Sequence, residues 1–117
     1  MAKNILIVDD DPIVRELMRS VLEPLYTIWE EISGIHTLNV LQDNIIDLVF
    51  LDVFMDDQEG IETLQQIRLN YPQLPVIMIS SDLQYLKAST ILGANDYLQK
   101  PIELDALMTL TEKYLTS

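Results

Sequence analysis

Three short runs, residues 5–8, 48–51 and 75–79, are apolar throughout and rich in Ile, Val or Leu. With no polar alternation, they predict strands buried on both faces. Two weaker candidates, 26–30 and 96–98, are expected nearer an edge. Between these runs the apolar positions change period. Ile13, Val14, Leu17, Met18, Val21 and Leu22 recur at three-to-four spacing and predict a helix from Pro12 to about Glu23 with one apolar face. Asp11 before Pro12 is a start signal, an N-cap followed by proline at the first helical position. Ile35, Leu38, Leu41 and Ile45 predict a second helix after Ser33 and Gly34. Ile61, Leu64 and Ile67 predict a third, from about Gln58 to Asn70, ended by Tyr71-Pro72. A fourth over 83–92 has Ser81 or Asp82 as its cap and Gly93 as its stop. A fifth runs from Glu103 to about Tyr114.

Strands alternating with helices at this spacing imply repeated right-handed βαβ units. The fold class is therefore α/β, a doubly wound parallel sheet of five strands with five helices on its two faces. The 117 residues, 49% of them hydrophobic, suit a single domain over 1–117. No linker, repeat or low-complexity stretch interrupts it.

Charge narrows the partners. With 19 acidic and 7 basic side chains the formal charge is −12 and the pI about 4.1, which argues against nucleic acid or an anionic membrane as the main partner. Cations and basic protein faces fit better. Without cysteine there is neither a disulfide framework nor a thiolate metal site. No signal-peptide pattern or membrane-length apolar run is present, so a cytoplasmic protein is expected.

In open sheets of this kind ligands bind beyond the carboxyl ends of the strands, where the strand order reverses. The inferred strand ends carry Asp9 and Asp10, then Asp52, Ser80 and Lys100. Taken alone, the triplet Asp9–Asp10–Asp11 is equally a solvated turn with a helix cap. Asp52 shifts the balance, because a carboxylate directly after the buried run LVFL is tolerated only if paired or metal-bound. Two or three aspartates with nearby carbonyls make an oxygen-only site suited to Mg²⁺. His36 falls on the second helix, away from these strand ends, and reads as an ordinary helix residue. Ser80 and Lys100 supply a hydroxyl donor and a positive charge for an anion beside the metal. A carboxylate nucleophile so surrounded can take a phosphoryl group by alignment and charge neutralisation.

Over essentially its whole length, from KNILIVDDDP to the last helix, the chain resembles the response regulator receiver domains of two-component signalling. LDVFMDDQEG resembles the segment around the phosphorylated aspartate, with Met55 and Gly60 at the family's intervals. LPVIMISS resembles the fourth strand with its switch hydroxyl, and GANDYLQKPI resembles the run through a switch aromatic to Lys-Pro. The resemblance implies a CheY-like, flavodoxin-like fold with strand order 2-1-3-4-5. It implies phosphorylation of Asp52, and Mg²⁺ held by Asp10, Asp52 and the backbone carbonyl of Phe54, with Asp9 contributing nearby. Lys100 would hold the phosphoryl oxygens, Ser80 and Tyr97 would act as the switch pair, and the Lys100–Pro101 bond would be cis.

Asp56 stands where the family usually has proline, and Ser81 replaces a small residue beside the switch. Phe54 and Asp82 occupy positions that tune the rates of phosphorylation and hydrolysis. Slow turnover in both directions is expected, with Phe54 shielding the acyl phosphate and Asp82 repelling an anionic donor. The function expected is a stand-alone phosphoacceptor rather than an enzyme acting on other substrates. It would be loaded by a histidine kinase or phosphotransfer protein and read by a downstream protein target. The rival readings are a receiver cut from a longer regulator, a phosphorylation-independent binding module, and a phosphatase using Asp52. The phosphatase lacks the second aspartate, since Phe54 holds that position. On the fifth helix, Leu107, Leu110 and Tyr114 form a second apolar stripe that is either core or a surface for a homodimer or partner.

Overall fold

The structure, a computed structural model, describes residues 2–52 and 57–116, without the side chains of 57–59. Five strands, β1 (Asn4–Val8), β2 (Thr27–Glu31), β3 (Leu48–Asp52), β4 (Val76–Ser80) and β5 (Asp96–Gln99), alternate with five α-helices: α1 (Pro12–Leu22), α2 (Thr37–Asp43), α3 (Asp57–Asn70), α4 (Leu83–Ile91) and α5 (Leu104–Leu115). The sheet is fully parallel in the order β2-β1-β3-β4-β5. Thus β2 and β5 are the edges, and the strand order reverses between β1 and β3.

Alternate residues of the central strands point to opposite faces. Leu6, Val8, Val49, Leu51, Val76 and Met78 meet Leu41, Leu64, Ile67 and Leu86 of α2, α3 and α4. Ile5, Ile7, Leu48, Phe50, Ile77 and Ile79 meet Met18 and Leu22 of α1 and Leu107 and Leu115 of α5. Because both faces are covered, the three runs contain no polar alternation.

Helix ends follow local chemistry. Asp11 caps α1 through its side chain, accepting from the Ile13 amide at 2.9 Å. Asp82, rather than Ser81, caps α4 by accepting from the Gln84 and Tyr85 amides. Gly93, at φ +117°, ends the α4 segment in a conformation that favours glycine.

The predicted apolar faces are wider than the buried ones. On α1, Met18 and Leu22 are buried and Val14 and Val21 pack beside them, whereas Ile13 is 77% exposed. The second helix is shorter than its apolar spacing predicted. A 3₁₀ turn over Gly34–His36 precedes α2, and the helix ends at Asp43, so Ile35 and Ile45 lie outside it and are exposed. His36 sits at the junction as an exposed residue. On α5 the second stripe is core: Leu107 is buried, and Leu110 and Tyr114 pack on the same cluster.

Gly34, which opens the 3₁₀ turn, lies directly against Thr63 of α3. A Cβ there would lie 2.0 Å from Thr63 Oγ1 and 3.2 Å from Thr63 Cβ. Gly34→Ala is therefore expected to lower unfolding free energy by roughly 1–3 kcal/mol in urea titration. Adding Thr63→Ala, which removes the nearest atom, should recover part of the loss; strictly additive effects would contradict this contact.

Candidate functional site at the carboxyl ends of the strands

Register brings the site together. Val8 pairs with Leu51, so Asp9 and Asp52 follow on the same row of neighbouring strands. Asp52 pairs with Ile79 and Ser80 with Gln99, so Ser80 and Lys100 come next along the rim. The four residues stand at or just past the ends of four strands, so no long-range loop is needed to assemble them.

Asp9 and Asp52 are both buried, at 1% and 7% exposure, and Asp10 is exposed at the rim. One carboxylate oxygen from each of the three can be chosen so that all lie within 4.8 Å of one another. The Lys100 ammonium enters this group, 2.6 Å from Asp52 Oδ2 and 3.4 Å from Asp9 Oδ2. Its backbone N–H donates to the Ser80 carbonyl at 2.9 Å, which fixes the base of the lysine against β4. The Lys100–Pro101 peptide bond is cis.

Asp9 is held on several sides. Its N–H donates to the Glu31 carbonyl, its own carbonyl accepts from Arg15, and its Oδ1 accepts from the Asp11 N–H. Its Oδ2 is different. Among the described residues it is the one buried side-chain oxygen or nitrogen that accepts or donates no well-formed hydrogen bond, although the Lys100 ammonium lies near. An under-coordinated buried carboxylate oxygen, in an all-oxygen donor set, fits a hard divalent cation such as Mg²⁺.

Burial pushes the Asp52 carboxyl up to about 7, and repulsion from Asp9 adds to it, while the Lys100 hydrogen bond opposes the rise. Burial alone would lower the Lys100 ammonium, but the hydrogen bond to Asp52, with Asp9 behind it, holds the lysine above its ordinary value. Partial desolvation and then repulsion from Asp9 raise the Asp10 carboxyl. One ammonium therefore does not fully balance the pit.

Ser80 is buried, and its hydroxyl oxygen accepts from the Asp82 N–H at 3.1 Å. Asp82 in turn spends its carboxylate on the first amides of α4. This side chain is thus tied to the helix end, in the capping role the sequence offered to it or Ser81. Tyr97, on β5 opposite Met78, is half-buried against the α4 side of the core. The expected contribution of the Phe54 carbonyl, and the roles of Met55 and Asp56, lie outside the described residues. Sequence reasoning missed Arg15, whose only signal was a lone basic residue one turn after the Asp11 cap. A furrow of about 670 Å³, lined by Leu41, Ile45, Tyr71 and Leu74 among others, lies at the opposite ends of the strands, away from the clustered carboxylates.

The model of the response regulator receiver domain family matches residues 5–112. The chain belongs to that family. The receiver domain is 36% identical over 118 residues to the transcriptional regulatory protein MalR of Bacillus subtilis (strain 168), covering 95% of this chain and 49% of that protein. It is 41% identical over 111 residues to a protein-glutamate methylesterase/protein-glutamine glutaminase of Trichodesmium erythraeum (strain IMS101), covering 86% of this chain and 31% of that protein. The chain thus spans about half or less of the length of these curated relatives. Among solved structures, the receiver domain of NtrX from Brucella abortus superposes with a TM-score of 0.87 at 30% identity, covering 97% of this chain and 99% of that one. A CheY-like receiver domain protein from Methanospirillum hungatei JF-1 gives 0.85 at 28% identity, over 97% and 94%. The shared architecture includes the 2-1-3-4-5 strand order. No helix among the described residues is long and apolar enough to cross a membrane.

The raised Asp52 carboxyl has a signed consequence for stability. Its unfolded counterpart ionises near 3.8 and the folded group near 7, so the stability held below 3.8 is lost as pH rises through this interval and is level above it. Asp52→Asn stays neutral at every pH. In divalent-free buffer its unfolding free energy should therefore gain on wild type from about pH 4 to 7 and then run parallel, measured by urea titration. A gap independent of pH would contradict the assignment.

Proposed function

We propose that the chain, one receiver domain over 1–117, accepts a phosphoryl group on Asp52 from a histidine kinase or phosphotransfer protein and presents an altered surface to a downstream protein target. The observation that carries this reading is the Lys100 ammonium 2.6 Å from a buried Asp52 carboxylate, beside an Asp9 oxygen left without a hydrogen bond. The family match supports it. A cytoplasmic setting accompanies it, and the chemistry is confined to transfer to, and hydrolysis from, the chain's own Asp52.

An Asp52 oxygen attacks the phosphorus of a phosphoimidazole donor; the P–N bond breaks, and its electron pair leaves with the imidazole ring. Asp52 must be ionised for this step. Asp9, Asp10 and Asp52, with the Phe54 carbonyl, would hold Mg²⁺. The bound ion supplies positive charge that favours the Asp52 carboxylate and offsets the charge on the phosphoryl oxygens. Lys100 shifts its ammonium from the carboxylate to a phosphoryl oxygen, a small movement because its backbone is fixed to Ser80. Ser80 turns its hydroxyl toward the new anion and gives up the Asp82 N–H. That breaks the bond holding the α4 cap to the end of β4, and Tyr97 fills the space released beside the core.

With a small phosphodonor and Mg²⁺, wild type should gain the mass of one phosphoryl group and Asp52→Asn none. Lys100→Met should slow loading roughly 10²-fold, in line with removal of one preorganised electrostatic partner. Ser80→Ala should still load, but the α4 amide shifts that accompany loading should shrink. Adduct on Asp52→Asn, or release of phosphate from many esters over many turnovers, would contradict the reading.

A further inference from the structure

Three of the four backbone and carboxylate polar atoms of Asp9 are fixed, and one of the fixing groups comes from outside the acidic strand ends. Arg15, on the first turn of α1, donates through one terminal nitrogen to the Asp9 carbonyl at 2.7 Å. Its Nε donates at 3.0 Å to Glu30 Oε1 on the edge strand β2. Arg19 donates to the other oxygen of Glu30 at 2.9 Å. Only 18% of the Arg15 side chain is exposed, so the guanidinium is a wedged strut rather than a solvated surface charge.

We propose that Arg15 is a positioning residue for the acidic pit, locking the peptide between Asp9 and Asp10 so that Asp9 Oδ2 and the Asp10 carboxylate converge on a divalent cation. This rests on the cation-binding reading above. The strut runs from Glu30 through Arg15 to the Asp9 carbonyl. The N–H of Asp11, one peptide further on, closes the turn on Asp9 Oδ1 at 2.8 Å. Two carboxylates on consecutive residues would otherwise swing apart by repulsion. Outer partners that orient ligands in this way typically contribute 10–100-fold to metal affinity by order of magnitude.

The sign of the effect separates positioning from simple charge. Arg15 is itself a cation close to the pit. Were its influence only electrostatic, removing it would tighten Mg²⁺ binding. Positioning predicts the opposite.

Mg²⁺ affinity is measured by calorimetry on the full chain for wild type, Arg15→Gln, Arg15→Lys and Glu30→Gln, beside the amide spectrum of each protein without metal. Arg15→Gln should bind Mg²⁺ at least about tenfold more weakly despite the lost positive charge. Arg15→Lys should be almost as weak, since a single ammonium cannot reach both Glu30 and the Asp9 carbonyl in the geometry of a guanidinium fork. Glu30→Gln, which leaves Arg15 in place with one support weakened, should fall between. In the metal-free spectra the Asp10 and Asp11 amides should move in Arg15→Gln while those of β3 and β4 stay, which distinguishes a local release from general unfolding. Equal or tighter Mg²⁺ binding by Arg15→Gln, or full rescue by lysine, overturns the proposal. Failure of wild type itself to bind Mg²⁺ overturns the cation reading instead, and unmoved Asp10 and Asp11 amides overturn the strut whether or not metal binds.

Discussion

Everything at the carboxyl edge of this sheet is organised around one ammonium facing two buried carboxylates. Lys100 lies 2.6 Å from Asp52 and 3.4 Å from Asp9, with Asp10 at the rim. A buried pair of this kind adds little to stability by itself, because desolvation consumes most of the Coulomb attraction; breaking it is another matter, at about 3–5 kcal/mol. The fold therefore carries the pair as a constraint. It also carries a deficit of positive charge, visible in the raised Asp52 carboxyl and in the Asp9 oxygen left without a hydrogen bond. On the proposed reading that deficit is the useful property, since it is relieved by a cation and then reused by a phosphoryl group.

The same constraint links the pit to two further elements, α4 and the edge strand β2. Lys100 is fastened through its backbone to Ser80, and Ser80 accepts the amide of the residue that caps α4. A change in what Ser80 binds is thus felt at the first turn of α4 without any long pathway. On the other flank, Arg15 ties Asp9 to the edge strand through Glu30. On the proposed reading one side of the site yields and the other holds.

Much of this was legible from residue order. The three apolar runs became the central strands because both sheet faces are covered, and Asp52 stood out because a charge at the end of such a run needs a partner. Asp9, Asp52, Ser80 and Lys100 could be aligned because a parallel sheet puts consecutive strand ends in one row. The wider apolar faces assigned to the first two helices were less faithful. Ile13, Ile35 and Ile45 have the spacing of core residues, yet α2 stops at Asp43 and α1 presents a narrower stripe to the sheet. Periodicity gives the angular position of a residue but not the depth at which the partner layer ends. Arg15 was hidden for a related reason: it acts on a backbone carbonyl, whose position exists only once the turn has formed.

The central claim is that without a divalent cation the pit holds too little positive charge for its carboxylates, and the Asp52 carboxyl carbon reports this directly. A ¹³C NMR titration of that carbon without metal should give a midpoint near 7. Saturating Mg²⁺ should bring it down into the ordinary carboxylate range. A midpoint already in that range without metal, or one that Mg²⁺ leaves where it was, would contradict the account.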